Sequence, residues 1–212
     1  MKPMPYTLYG KAGSGSAMVE LALAEIGADY LVSYTGLGKG AKDSDPYLAV
    51  NPTGKLPALS TPDGEVLTES AAILLTLADR HPAAGLLPAA PEPARDRAIR
   101  WTVFVAAEIY PMIEIVDYPQ RFVGKAAART LREHARDRIR RRWLAVERAI
   151  TGDPWLDARG PSTADLAIAV VSRWSTGKRW RRSSCPRIEA IAAALAARDS
   201  TRAIWASHFD PR

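Results

Sequence analysis

The stretch richest in chemistry is Asn51-Pro52-Thr53-Gly54-Lys55-Leu56-Pro57-Ala58-Leu59, followed by Asp63-Gly64 and then Leu67-Thr68-Glu69-Ser70-Ala71-Ala72-Ile73. A proline at position 57, just where a strand begins, points to a special turn and to a cis Leu56–Pro57 bond. Such a turn leaves the N–H and C=O of Leu56 facing outward, able to pair with an extended peptide in strand fashion. At Glu69-Ser70 a strand runs into a helix. The free N–H groups and positive dipole end of that helix suit a carboxylate, and Glu69 suits an amine. In this order the two halves describe a receptor for an α-amino acid group joined to an extended peptide. For either half alone, a tight turn or an N-capped helix without a ligand accounts for the same residues.

These groups need a small layered domain to hold them. Residues 6–9 read as a strand stopped by Gly10. Val19, Ala22, Leu23 and Ile26 recur at helical spacing, and Gly27 ends that helix. Residues 30–34 form a second strand, and 36–45 are loop by composition. Residues 56–61 and 65–68 make a hairpin through Pro62-Asp63-Gly64, and 70–80 return to helical period. The order β-α-β and then β-β-α predicts an α/β layer. Four prolines (Pro82, Pro88, Pro91, Pro93) mark 82–93 as a linker. Beyond it, Ile99, Val103, Ala106, Ala107 and Tyr110 share a helix face up to Pro111, which should stop or kink the helix. Residues 126–150 carry an apolar stripe opposite arginines, and 163–174 and 187–198 read as further helices. The predicted fold class is α/β followed by all-α, with domains at 1–81 and 94–212.

Composition narrows the chemistry. The chain has 212 residues and one cysteine, which excludes a disulfide framework, an all-cysteine zinc site and a CxxC redox pair. His81, His134 and His208 are too far apart in sequence to suggest a metal cluster, so no metal is expected. No apolar run approaches the roughly 18–20 residues that span a bilayer. The first nine residues lack the apolar core of a secretion signal, so the expectation is a cytoplasmic protein. The net charge of +6 is unevenly spread: through Gly85 there are 6 Lys/Arg against 9 Asp/Glu, and beyond it 23 against 14.

The motifs together resemble the glutathione transferase superfamily over almost the whole chain. Pro57 matches its cis-proline, and Glu69-Ser70 its γ-glutamyl clamp. Pro161-Ser162-Thr163-Ala164-Asp165-Leu166 matches its buried helix-capping box, and Pro186-Arg187-Ile188-Glu189-Ala190 its late helix start. Ser162 with Asp165 three residues on is a capping pair in its own right, with a folding role. The resemblance implies a thioredoxin-like N-terminal domain, an all-helical C-terminal bundle, glutathione as co-substrate and a homodimer.

It also implies a Tyr, Ser or Cys just after the first strand, bonded to the glutathione sulfur. A donor and a helix N-terminus both lower a thiol's pKa. The segment here is Gly10-Lys11-Ala12-Gly13-Ser14-Gly15-Ser16-Ala17, with Gly15 where bacterial beta-class members have cysteine. A mixed disulfide with the protein at this position is thereby excluded. Ser14 and Ser16 flank the spot, and either hydroxyl can donate to sulfur or cap the helix. Ser14 is preferred, and Tyr9 at the end of the first strand ranks third. The resemblance further puts Lys39 near the glycyl carboxylate. It puts Glu108, Tyr110 and Met112, with Tyr9, around the acceptor pocket, although Val103 and Tyr110 replace an Asn and a His of the beta class.

The function implied is a glutathione-dependent transferase, holding glutathione through Leu56, Pro57, Glu69 and Ser70 and presenting its thiolate to a small electrophile. A glutathione-dependent disulfide reductase using the same site is the alternative within catalysis. A non-catalytic scaffold is the alternative outside it, motivated by Arg129, Arg132, Arg136, Arg138, Arg140, Arg141 and Arg142 on one helix. A second basic stretch holds Arg173, Lys178, Arg179, Arg181, Arg182 and Arg187, with Trp174 and Trp180 between them. A solvated helix face explains these charges more simply than a nucleic-acid surface.

Overall fold

The structure is a computed structural model that describes residues 4–33 and 45–210; Lys39 lies outside them. The described residues divide into two compact units, one formed by residues up to Leu87 together with those from Leu195 onward, the other by Pro88–Ala194. The α/β-then-helical class expected from the sequence is observed.

The first unit begins β1 (Tyr6–Tyr9), α1 (Ser16–Glu25), β2 (Tyr30–Ser33), α2 (Asp45–Val50), β3 (Ala58–Ser60), β4 (Val66–Thr68) and α3 (Ser70–Arg80). The sheet order is β2-β1-β3-β4, with β1 parallel to β2 and the other pairs antiparallel. Leu8 and Leu59 are fully buried in the core, as are Ile73, Leu74 and Leu77 of α3. Helix α1 is unusual because every residue from Ser16 to Leu23 is buried, leaving no solvated stripe. The reason is a helix that sequence periodicity missed, α10 (Arg202–Phe209). Its His208 bonds Glu20 of α1, while Arg198 and Ser200, just ahead of it, bond Glu25 at the other end of α1.

The second unit contains α4 (Pro93–Phe104), α5 (Tyr110–Asp117), α6 (Lys125–Ala149), α7 (Thr163–Val171), α8 (Lys178–Ser184) and most of α9 (Pro186–Ala197). Pro111 does not stop the helix. Proline has no N–H for the ladder and its ring crowds the preceding turn; the chain widens into a π turn at Val105–Ile109 and continues as α5. Several arginines of α6 are also less solvated than their spacing suggests. Arg132, Arg136 and Arg140 donate to the carbonyls of Val116, Ser175 and Thr176, and Arg142 pairs with Glu108 at 2.7 Å. In the second basic stretch Arg173 and Arg181 both grip Glu189. Cys185 is fully buried; burial, followed by Glu147 and Glu189, pushes its thiol up to about 12.

Helix α7 is the buried axis of this unit, and its N-terminus carries the expected capping box. Asp165 accepts from the Ser162 N–H at 2.8 Å, the Ser162 hydroxyl at 2.6 Å and the Leu156 N–H at 2.7 Å. Burial raises the Asp165 carboxyl to about 6 even though these bonds oppose the shift. The unfolded chain ionises this group near 3.8. The folded state therefore holds the extra proton between about pH 4 and 6, and the stability Asp165 contributes falls as pH rises through that window. In Asp165→Asn the group no longer titrates, and its amide NH2 must face a buried N–H. Urea unfolding should show a loss of about 2 kcal/mol at neutral pH. It should also show a wild-type advantage that shrinks from pH 4 to 6; parallel pH profiles would refute the assignment.

Candidate functional site

The strand register lines up the ends of the sheet. Tyr9 pairs with Ser33 on one side and with Ala58 on the other, and Ala58 pairs with Thr68. Directly beyond these residues come three features: the loop from Gly10 to Gly15, the Leu56–Pro57 bond, and Glu69. The sequence-predicted Ser14, Leu56 and Glu69-Ser70 therefore extend from adjacent strands at one end of the sheet. Two interstrand spacings from β1 to β4 make about 10 Å.

The loop after β1 is held by its two serines. A Cβ at Gly10 would meet the Ser16 Cβ and Oγ at 2.5 Å, so only glycine lets the start of α1 approach the strand this closely. Ser16 is buried, and its Oγ accepts from the Lys11 N–H at 3.0 Å. Ser14 is half-buried; its hydroxyl lies 2.9 Å from that of Ser16 and donates to the Lys11 carbonyl at 2.7 Å. Ser16 also reaches this carbonyl, at 3.1 Å. One hydroxyl proton suffices there, so when Ser16 supplies it Ser14 is free to donate elsewhere. Ser14 also accepts from the Ser16 N–H at 3.3 Å, in the manner of a helix cap. No acidic residue occupies the first turn of α1, leaving its positive dipole end unopposed. Tyr9 is half-buried, its ring 5.9 Å from that of Tyr47.

The turn before β3 has its own scaffold. The Leu56–Pro57 bond is cis, and the β1–β3 ladder begins only at Ala58, leaving Leu56 beyond it. The preceding carbonyl, Lys55, accepts from the Tyr47 hydroxyl at 2.6 Å and the Asn51 Nδ2 at 2.7 Å. Asn51 Oδ1 in turn accepts from the Thr53 N–H and hydroxyl at 3.1 and 2.9 Å. Both Tyr47 and Asn51 are buried. Tyr47 was not foreseen; the Asn51-Pro52-Thr53 turn was the available signal, since an Asn side chain there closes on its own backbone. Glu69 has φ 62° and ψ 109°, a conformation that costs a non-glycine residue about 1–3 kcal/mol and persists where its surroundings demand it. It is exposed, and Ser70, the first residue of α3, is buried.

The remaining expectations fall in the second unit. Glu108 is neutralised by Arg142, Tyr110 lies 5.3 Å from Trp174, and Met112 is half-buried. Among the described residues no group of three or more His, Cys, Asp or Glu side chains could hold a metal ion. No helix among them is long and apolar enough to cross a membrane.

Residues 15–80 match the family described as glutathione S-transferase, N-terminal domain. The chain is 30% identical over 173 residues to the glutathione S-transferase GstA of Escherichia coli O157:H7, covering 79% of this chain and 81% of that protein. It is 28% identical to the disulfide-bond oxidoreductase YfcG of Escherichia coli K12, with 70% of each covered. A glutathione transferase homologue from Sulfitobacter, crystallised with bound glutathione, superimposes with a TM-score of 0.85 at 25% identity, covering 94% of this chain and 96% of that one.

The geometry makes one structural demand testable without any ligand. Asn51→Ala removes a donor to Lys55 and leaves the Thr53 N–H without its acceptor, so chemical denaturation should show a loss of about 2 kcal/mol. An unchanged midpoint would mean that Asn51 does not brace the turn.

Proposed function

The chain belongs to the glutathione S-transferase superfamily, and from that premise we propose that it binds glutathione across the aligned strand ends and joins it through its sulfur to an electrophile. The observation that carries this reading is the Tyr9–Ala58–Thr68 register, which spans about 10 Å. An extended tripeptide is of the same length, at roughly 3.3–3.6 Å per residue. In this reading Leu56 pairs with the cysteinyl backbone, beside Pro57. Glu69 takes the γ-glutamyl amine and the N-terminus of α3 at Ser70 its carboxylate. Lys39 is proposed for the glycyl carboxylate.

The sulfur falls to Ser14 rather than Ser16. Ser14 is the more accessible of the two, and Ser16 can take over the bond to Lys11 when Ser14 turns its proton outward. A hydroxyl donor and the start of α1 both favour thiolate over thiol, and the protein supplies little else: activation and proximity. The thiolate then forms the sulfur–carbon bond as the electrophile's leaving group departs with its electron pair. The loop holds no cysteine, so a disulfide substrate would have to be reduced by two glutathione molecules in turn. Acceptor contacts are proposed for Tyr9, Glu108, Tyr110 and Met112, with Glu108 acting as an ion pair with Arg142. A homodimer is inferred from family membership.

Millimolar glutathione should raise the melting temperature by mass action, and no shift would refute binding. Ser14→Ala should leave the glutathione Kd within about threefold while lowering conjugation of a small aromatic halide by about 10–100-fold, the worth of one hydrogen bond to a charged group. Ser70→Ala should instead weaken binding. A small disulfide assayed beside the halide separates reductase from transferase.

A further inference from the structure

The loop that carries Ser14 is held from an unexpected direction. Gly13, its immediate neighbour, has φ +69° and donates its N–H to Nδ1 of His208 at 3.0 Å, across 195 positions of sequence. A Cβ built on Gly13 would stand 3.4 Å from the His208 carbonyl oxygen, so the backbone of α10 lies directly against the loop. On its other side the same imidazole meets Glu20 Oε2 through Nε2 at 2.8 Å, and the His208 side chain is 1% exposed. These contacts fix the tautomer. Nδ1 accepts from a backbone N–H and carries no proton, so Nε2 carries it and donates to Glu20.

We propose that His208 is a positioning residue for the thiol site, its Nδ1 lone pair holding the Gly13 N–H and thereby setting the backbone from which Ser14 presents its hydroxyl. Glu20 keeps the ring in the tautomer that makes this bond. A side chain whose only task was to attach α10 to α1 would need the Glu20 contact alone. Attachment is already supplied elsewhere, by the two 2.9 Å bonds from Arg198 to Glu25 and one from Ser200. The bond to Gly13 instead reaches a glycine in the left-handed region, next to the serine that is to face sulfur.

The proposal rests on the glutathione reading for its chemistry and not for its geometry, and the experiment separates the two. In the ligand-free parent protein, ring-nitrogen NMR should show His208 as the Nε2–H tautomer with a slowly exchanging Gly13 amide. A Nδ1–H tautomer or an unprotected Gly13 amide overturns the proposal, whether or not glutathione binds. His208→Asn keeps an acceptor near the Nδ1 position but cannot reach Glu20; His208→Gln reaches toward Glu20 but lacks that acceptor. With glutathione bound, thiolate absorbance should show about tenfold less thiolate at neutral pH in His208→Gln, a rise of about one unit in thiol pKa. The KM for glutathione should stay within about threefold, and His208→Asn should retain the thiolate. Equal thiol pKa values in the parent and His208→Gln overturn the proposal, as do equal losses in the two variants. A parent protein that fails to bind glutathione refutes the proposed function, while the tautomer and the Gly13 amide still decide the role of His208.

Discussion

The backbone pairing of Tyr9 with Ala58, and of Ala58 with Thr68, governs everything the first unit offers a ligand. Hydrogen-bonded ladders admit no intermediate register: a slip by one residue between β1 and β3 would set Leu8 and Leu59 on opposite faces, turning one of them out of the core, and carry the turn at Leu56 away from the loop at Ser14. The apolar core and the candidate site are thus two results of one alignment. Burial of Leu8, Leu59, Ile73, Leu74 and Leu77 holds the register, and the register places three separate chain segments at one end of the sheet. Asn51 and Tyr47 brace one turn there, while the loop beside it is held by Ser16 from nearby and by His208 from the far end of the chain.

Most of this was legible where the determining contacts are close in sequence. The α3 boundaries, the hairpin through Asp63-Gly64, the cis Leu56–Pro57 bond and the Ser162–Asp165 capping box all depend on residues within a few positions of one another. The contribution of α10 was illegible for the opposite reason. Nothing near Gly13 in sequence announces that its N–H meets a histidine near the far end of the chain, and an eight-residue helix leaves little periodic signal. Tyr47 escaped notice similarly, as part of a six-residue helix bordering a loop-like stretch. The predominantly apolar run of α1, with Glu20 as its one interior charge, was in fact the visible trace of α10, since a helix without a polar stripe must be covered on more than one side.

The arginine stripe shows how charge can mislead when read by spacing alone. Periodicity identifies which side of a helix is polar, but a guanidinium at the end of a long stem reaches well beyond its own face. Several α6 arginines turn to backbone carbonyls of neighbouring segments, and Arg173 and Arg181 share Glu189 in a largely buried cluster. Planar five-donor groups suit that task better than ammonium groups do. Much of the positive excess in the helical unit therefore serves its internal cohesion.

The sealed position of Cys185 has a practical consequence. With its only thiol fully enclosed and held far from ionisation, the folded chain presents no thiol of its own to oxidants, alkylating agents or mixed-disulfide partners. Whatever sulfur chemistry it performs is borrowed from a molecule that arrives and departs. If that molecule is the glutathione of the proposed function, damage to its thiol leaves with it instead of accumulating in the protein.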